Sequence, residues 1–328
     1  MSLKVLLFWL RCGCVLPDTV SNRSYDVEAG DLQVYNCFFI RFDVFNGNGG
    51  VFYAEFNCKM AVVSCSFVHC RARIGGAIYC GIYNASLFRI CANNCDAVES
   101  KCFGYIASTY VSLSGYWSLC YCNNNNNGRD LVGWVGGGFK NDYYNASFNC
   151  IPSNSVGYLD VTATTSQFNY WNVINNTSNS NGIMLLNGQM KYLNYFNVIC
   201  NSCSSSRGVI YGEQSYNVME IKYCCFFYNK YVLFYSIQYA SFRVRMSYII
   251  HDGQYFYCEK PTIIVTQSLS FTISSTHNIV HFKTNQCENE YDFSKTFEQS
   301  LEYNCVTSIG SKDTNYLVIA SIYCFALQ

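Results

Sequence analysis

The chain has 328 residues, which is enough for one large domain or two smaller ones. Half of the residues are hydrophobic and only 13% are charged, so a large core can form beneath a surface built mainly from uncharged polar residues. Lys plus Arg equals Asp plus Glu at 21 each, which argues against nucleic acid as a partner, because phosphate binding needs a positive excess.

The N-terminal segment, residues 1–33, begins with "MSLKVLLFWLRCGCVLP". Its apolar run Val5–Leu10 is interrupted by Arg11, whereas a secretory signal has an apolar core of about 7–15 residues. Two interpretations therefore stay open for residues 1–33, a signal segment or an N-terminal cap of the fold.

Residues 34–257 contain a repeat of about 26 residues. The apolar triplets Val51–Tyr53, Ala77–Tyr79 and Phe103–Tyr105 follow one another at this step. Further copies are expected at Leu131–Gly133, Tyr158–Asp160, Met184–Leu186, Val209–Tyr211 and Leu233–Tyr235. The segments are short, β-branched or aromatic, and bounded by Gly, Asn and Ser, which is typical of strands. The pattern predicts an all-β fold, a right-handed parallel β-helix of the pectin-lyase-like kind with about eight coils.

Glycines and cysteines recur with the same period. Gly75 and Gly76 precede a triplet, and glycine adopts the positive φ of a sharp turn without steric cost. A second column is expected at an inward turn that accepts only small side chains: Cys70, Cys95, Cys122, Cys150, Asn176, Cys203 and Asn229. Cys65 and Cys91 lie 26 residues apart, so we also expect Cys65 on Cys91 and Cys70 on Cys95 in neighbouring coils.

Two short motifs carry a family resemblance. "GGAI" at Gly75–Ile78 and "FFYN" at Phe226–Asn229 resemble the GGA[ILV] and FxxN repeats of polymorphic membrane proteins, which are bacterial surface proteins. The cysteine-rich "CSFVHC" ahead of "GGAIYC" is similar to the expanded β-helix families of protists such as trichomonads. The resemblance covers about residues 34–257 and implies a right-handed parallel β-helix in a surface or secreted protein, often with a membrane anchor.

The composition also favours an extracellular or cell-surface location. There are 21 cysteines, and disulfide-rich chains are usually found outside the reducing cytosol. Candidate N-glycosylation sites are Asn22, Asn84, Asn145, Asn175 and Asn176. The C-terminal flank, residues 258–328, is expected to add strands or a cap, and its apolar run Tyr316–Leu327 is interpreted as a core strand or a truncated anchor. Membrane association stays open, although no convincing transmembrane helix is present.

Candidate sites for chemistry are few, and a structural role is favoured at each. Arg243 and Arg245 share one strand face and could hold the carboxylate of a uronate. Glu288, Glu290 and Asp292 could form a weak calcium site, and His277 and His281 have the spacing of a metal-binding pair. Cys200 and Cys203 form a Cys-x-x-Cys motif. The asparagine run Asn123–Asn127 is expected to form a protruding loop. No cofactor, metal site or catalytic residue is predicted.

The sequence favours a non-catalytic extracellular or cell-surface protein that presents a face for adhesion or recognition. One alternative is a carbohydrate-binding or degenerate polysaccharide-active β-helix, and another is a structural fragment of a larger surface protein. The partner is an unknown protein or glycan. A face with charged residues and stacked aromatic side chains would favour carbohydrate, and a uniform Asn, Ser and Thr face would favour protein.

Overall fold

A computed structural model describes the greater part of the chain, up to residue 266. The described ranges are 9–11, 24–27, 30–55, 58–81, 84–116, 130–147, 149–151, 155–161, 166–188, 192–205, 207–213, 218–237, 240–251, 256–258 and 263–266.

The described residues form a parallel β-helix, as predicted, in which successive coils stack their strands into three faces. The first face consists of β2 (Tyr25–Val27), β6 (Phe52–Glu55), β9 (Ile78–Gly81), the starts of β12 (Gly104–Tyr116) and β13 (Val132–Ser147), β15 (Gly157–Val161), β18 (Met184–Gly188), β22 (Ile210–Glu213), β25 (Phe234–Ser236) and β28 (Phe256–Cys258).

The second face follows the first in every coil. It consists of β1 (Trp9–Arg11), β3 (Gly30–Tyr35), the starts of β7 (Cys58–Val68) and β10 (Asn84–Asn93), the later parts of β12 and β13, the start of β16 (Gln167–Ile174), β19 (Tyr192–Asn194), β23 (Val218–Lys222), β26 (Ser241–Arg245) and β29 (Ile263–Thr266).

The third face and two short sheets complete the coils. The third face consists of β4 (Phe38–Ile40), the ends of β7, β10, β13 and β16, then β20 (Asn197–Ile199), β24 (Cys225–Asn229) and β27 (Tyr248–His251). The short sheets are β5 (Asp43–Asn48) with β8 (Arg71–Ile74) and β11 (Asp96–Ser100), and β14 (Cys150–Ile151) with β17 (Thr177–Ser178) and β21 (Ser202–Cys203).

The stack extends beyond residues 34–257 at both ends. Strand β1 pairs with the end of β3, and β28 and β29 continue the first and second faces. The number of coils therefore differs slightly from the eight that the repeat suggested. Within the described ranges there is no helix that could cross a membrane.

The paired glycines before the first face each meet a different requirement. Gly75 has a φ of +67°, and a Cβ there would lie 2.3 Å from the carbonyl oxygen of Ile78. Gly76 has ordinary backbone angles, but a Cβ there would lie 2.1 Å from the carbonyl oxygen of Cys102 in the next coil. The first glycine permits the left-handed turn and the second permits the close approach of the neighbouring coil.

The predicted register is confirmed in the first coils and in the last two frames, Val209–Tyr211 and Leu233–Tyr235, and it is offset between them. Tyr53, Tyr79 and Tyr105 are successive partners, as expected. Gly133 pairs with Tyr158, however, so the expected frame Tyr158–Asp160 is wrong by two residues, and the next frame is wrong by one because Tyr158 pairs with Leu185.

The shift has a packing cause. The inward position of β15 is Gly157, and a Cβ there would lie 3.8 Å from the Trp134 ring and 3.9 Å from the Trp171 ring. Both indoles are fully buried and fill this part of the core. Because glycine stands at this inward position beside the two rings, the coil lacks the apolar triplet on which the predicted frame depends.

Four buried asparagines form a ladder at the corner that follows the third face. The side-chain amides of Asn149, Asn176 and Asn201 each donate to Oδ1 of the next asparagine, over 2.9, 3.0 and 3.0 Å, and the last acceptor is Asn229. The backbone N–H groups of the same three residues donate to the same oxygens, each over 3.0 Å. Asn176 and Asn229 were expected in this column, and their neighbours in the ladder are Asn149 and Asn201.

The cysteines of the expected column divide into several environments. Cys70 and Cys95 are buried neighbours whose thiols hydrogen-bond, and the pKa of Cys70 is raised by burial and by Cys95. The corner positions expected for Cys150 and Cys203 belong to the ladder asparagines. Cys150 is exposed and pairs with Thr177, and Cys203 is buried and pairs with Ser178. Cys122 lies outside the described residues.

The expected stacking of Cys65 on Cys91 does not match the register. Cys65 pairs with Ile90, whereas Cys91 pairs with Ser66. Cys65 faces the core and hydrogen-bonds with Cys37 of the preceding coil. Cys91 belongs to a separate cluster with Val68 and is disulfide-bonded. A one-residue offset reverses the side of a strand on which a side chain lies. For this reason the 26-residue spacing of Cys65 and Cys91 gave a wrong prediction of their stacking.

We predict that the asparagine ladder stabilises the coils strongly. Asn201→Ala removes the amide that donates to Asn229 and the oxygen that accepts from Asn176, and each buried group left without its partner costs about 1–3 kcal/mol. Urea unfolding should show this loss. The control Asn46→Ala, at an exposed position of β5, should change the free energy of unfolding by less than about 0.5 kcal/mol, and equal effects would contradict the assignment.

Candidate functional site

A row of tyrosines runs along the outer side of the first face. Tyr53, Tyr79, Tyr105, Tyr158, Tyr211 and Tyr235, the tyrosine ladder, occupy one register position in their coils, with Gly133 and Leu185 at the same position between them. Ring centroids lie 5.3 Å apart for Tyr53 and Tyr79 and 5.1 Å apart for Tyr79 and Tyr105. Tyr53, Tyr79, Tyr105 and Tyr158 are partly exposed, whereas Tyr211 and Tyr235 are buried in a cluster with Leu185.

A lysine fills the gap in the ladder at Gly133. A Cβ on Gly133 would lie 2.6 Å from Cε of Lys101, so the lysine side chain occupies the space of the missing ring. Its ammonium lies 4.3 Å from the centroid of the Tyr158 ring, within cation–π range. Lys101 therefore occupies the space between the register positions of Tyr105 and Tyr158, and it is itself buried.

Lys101 forms a buried ion pair beneath this row. Its ammonium contacts Oδ2 of Asp130, and the two side chains are 11% and 2% exposed. Oδ1 of Asp130 accepts hydrogen bonds from the hydroxyl of Ser155 at 2.6 Å and from its backbone N–H at 3.1 Å. Both charged residues have positive φ at the corner before the first face, near the position that Gly75 occupies in an earlier coil. Nothing in the sequence pattern indicated this pair.

Two carboxylates interact with hydroxyl groups of the tyrosine ladder. Glu55 hydrogen-bonds with Tyr53 and Tyr79, and Tyr158 donates to Asp160 over 3.3 Å. Burial and the neighbouring carboxylate raise the pKa of Tyr53 and of Tyr79. Burial and then Asp160 raise the pKa of Tyr158 to about 12. These phenols therefore stay protonated at neutral pH and act as hydrogen-bond donors.

Small residues form a shallow trough beside the tyrosine ladder. In register between Glu55 and Asp160 stand Gly81, Ala107 and Val135, and we call these three positions the outer trough. Four strand spacings separate the two carboxylates along the axis, which is about 19 Å. Each of the three residues is partly exposed, and the partly exposed tyrosines lie two positions away along the same strands.

Other candidates from the sequence lie apart from this surface. Arg243 and Arg245 lie on the outer side of the second face, where Arg243 donates to Oε1 of Glu220 over 3.2 Å. Cys200 is disulfide-bonded, whereas Cys203 is a buried free thiol. In the portion of the chain that the structure describes, no three His, Cys, Asp or Glu side chains are close enough to hold a metal ion.

The candidate glycosylation sites differ in accessibility. Asn84 is exposed at the start of β10, and Asn175 is half-buried. Asn176 is fully buried in the asparagine ladder, so its amide is inaccessible in the folded protein. Asn145 lies within β13. Outside the described residues lie Asn22, Asn123–Asn127, His277, His281, Glu288, Glu290, Asp292 and Tyr316–Leu327.

Comparison with known proteins gives no match: no family model, curated protein or solved structure is significantly similar to the chain. The resemblance to polymorphic membrane proteins therefore stays a prediction from the sequence motifs.

We predict that the Lys101–Asp130 pair behaves as a desolvated ion pair. Asp130→Asn leaves a buried ammonium without its counter-charge, which should lower the free energy of unfolding by about 3–5 kcal/mol. Adding Lys101→Met to this variant should recover most of the loss. The control Arg73→Gln breaks an exposed pair with Glu99 at 3.9 Å and should cost less than about 1 kcal/mol. Similar losses for Asp130→Asn and Arg73→Gln in urea unfolding would contradict this interpretation.

We predict a stability loss at alkaline pH from Tyr158. Its folded pKa of about 12 exceeds the ordinary value of 10.0, so the folded state holds the proton more tightly. The stabilisation is complete below pH 10 and is lost as pH rises from 10 to about 12. Ultraviolet titration of tyrosinate should show a smaller late-ionising component in Tyr158→Phe than in the parent protein. An unchanged component in Tyr158→Phe would contradict the assignment.

Proposed function

We propose that this protein is a non-catalytic recognition protein that binds an extended glycan along the outer side of its first face. The observation that carries the proposal is the row of partly exposed tyrosines, Tyr53, Tyr79, Tyr105 and Tyr158, beside the outer trough. Aromatic edges offer apolar contact to sugar C–H groups, while phenol and carboxylate groups exchange hydrogen bonds with sugar hydroxyls. The first face combines stacked aromatic residues with charged side chains and is not a uniform polar surface. This combination favours a carbohydrate ligand.

The charge of the face restricts the glycan. Asp26, Glu55, Asp160 and Glu213 point outward on the first face, and Lys101 is already neutralised by Asp130. A polyanionic chain would be repelled by these carboxylates, so the ligand is a neutral or an amino-substituted polysaccharide. The polysaccharide chain lies along the axis of the β-helix, because the trough continues from coil to coil in that direction.

The spacing of the carboxylates supports binding without hydrolysis. Glycosidases place their two carboxyl groups about 5–9.5 Å apart around the scissile bond. Glu55 and Asp160 are about 19 Å apart along the axis, which is too far for that arrangement. Each of these carboxylates instead orients tyrosine hydroxyls.

The disulfide-bonded state of Cys91 and Cys200 supports an extracellular or cell-surface location. The exposed sequon at Asn84 is compatible with the same compartment. On this basis the long first face serves adhesion to, or recognition of, a polysaccharide outside the cell.

We predict that filling the outer trough abolishes glycan binding. A Cβ on Gly81 would have its nearest contact at 3.8 Å, with Cγ of Glu55, so Gly81→Trp adds bulk to the trough without strain in the core. Titration calorimetry with cellohexaose and with a glucosamine hexamer should show binding of at least one probe by the parent protein. Affinity should fall about tenfold or more in Gly81→Trp.

The matched control is Ala61→Trp, which adds the same side chain to the outer side of the second face and should bind as the parent does. Thermal unfolding of both variants verifies that they fold. If neither probe binds the parent, or if Gly81→Trp binds as tightly as the parent, the proposed function is refuted.

A further inference from the structure

The outer side of the second face becomes positively charged towards the C-terminal coils. Successive outward pairs are Tyr192 and Asn194 on β19, Glu220 and Lys222 on β23, and Arg243 and Arg245 on β26. In the next strand, β29, Ile264 and Thr266 are in register with Arg243 and Arg245. Three cations and one carboxylate thus lie together in a chain whose net charge is zero.

Glu220 holds two of the three cations in place. Its carboxylate contacts the Lys222 ammonium at 2.5 Å and the Arg243 guanidinium at 3.2 Å. Hydrogen bonding from Lys222 and then from Arg243 lowers the pKa of Glu220, although partial burial opposes the shift. Lys222 also lies 5.2 Å from the centroid of the Tyr192 ring. These contacts reduce the conformational freedom that a ligand would otherwise have to restrict.

The third cation, Arg245, interacts with Glu220 through its charge alone, which also lowers the pKa of that carboxyl group. It makes no ion pair with any described residue, and its register neighbours are Lys222 and Thr266. The other described register pairs of two charged residues are Asp31 with Lys59, Asp43 with Arg71, Arg71 with Asp96, and Glu220 with Arg243. All of these are of opposite sign. Lys222 with Arg245 is the one like-charged pair among the described strands, and like charges directly opposite each other are destabilising.

We propose that Arg243, Arg245 and Lys222 form a second binding site, which takes the carboxylate of an acidic sugar. Arg243 and Arg245 are two positions apart on one strand, about 7 Å, so their guanidinium groups can converge on one anion. A planar carboxylate matches the paired N–H donors of a guanidinium group, and its charge relieves the repulsion between Lys222 and Arg245. The half-exposed ring of Tyr192 lies two coils before Arg243 and offers apolar contact to the sugar. This site is independent of the first face, whose carboxylates exclude such a ligand.

The test measures affinity for oligogalacturonate, dextran sulfate and neutral dextran at fixed ionic strength. We expect the parent protein to bind oligogalacturonate, and Arg245→Gln and Arg243→Gln each to weaken that binding about tenfold. Added salt should weaken it as well, because the contact is electrostatic and partly exposed. The matched control is Arg73→Gln, which removes the same charge from a distant exposed strand and should stay within twofold of the parent.

The outcomes separate this site from the first face. Gly81→Trp should leave oligogalacturonate binding unchanged, even if it abolishes binding of neutral or amino sugars. Two results would overturn the proposal: no binding of oligogalacturonate by the parent, with or without binding of dextran sulfate, or equal weakening by Arg73→Gln and Arg245→Gln. Thermal unfolding of each variant shows that a loss of affinity reflects the site and not the fold.

Discussion

Parallel hydrogen bonding between successive coils is the constraint on which the rest of the structure depends. It places equivalent residues of neighbouring coils about 4.8 Å apart, so a side chain at a given position lies next to the side chains at the same position in the coils before and after it. Neutral groups tolerate this arrangement and form the tyrosine and asparagine ladders. Charged groups tolerate it when their signs alternate, as in Asp43, Arg71 and Asp96. The same rule makes Lys222 beside Arg245 an exception with a functional interpretation.

The periodic part of this fold could be predicted from the sequence, whereas its local offsets could not. The 26-residue step placed Tyr53, Tyr79 and Tyr105 correctly because three coils of equal length follow one another. The frame failed at Gly157, where two tryptophans from neighbouring coils occupy the inward space. The sequence does not reveal that these indole rings pack beside Gly157, because the tryptophans are distant from the glycine along the chain.

The candidate sites show the same division between periodic and non-periodic features. The tyrosine ladder recurs at the repeat period and is visible in the sequence once the coils are aligned. Lys101 and Asp130 occur once and at a spacing that matches no motif, so only the folded chain brings them together. Arg243 and Arg245 were recognised by their alternation, but the role of Glu220 depends on register between coils. The outer surfaces are thus divided by charge, acidic on the first face and basic on the later part of the second.

The asparagine ladder also gives the rod a direction. Every side-chain amide from Asn149 to Asn201 donates towards the next coil, so the amide dipoles add along the axis rather than cancel. Aligned hydrogen bonds polarise one another, and an interior amide therefore gains more than a terminal one. A duplication of one whole coil would lengthen this array without disturbing it, whereas an insertion of a few residues at the corner would interrupt the polarisation on both sides. Change in the length of the protein by complete coils is the mode that this feature permits.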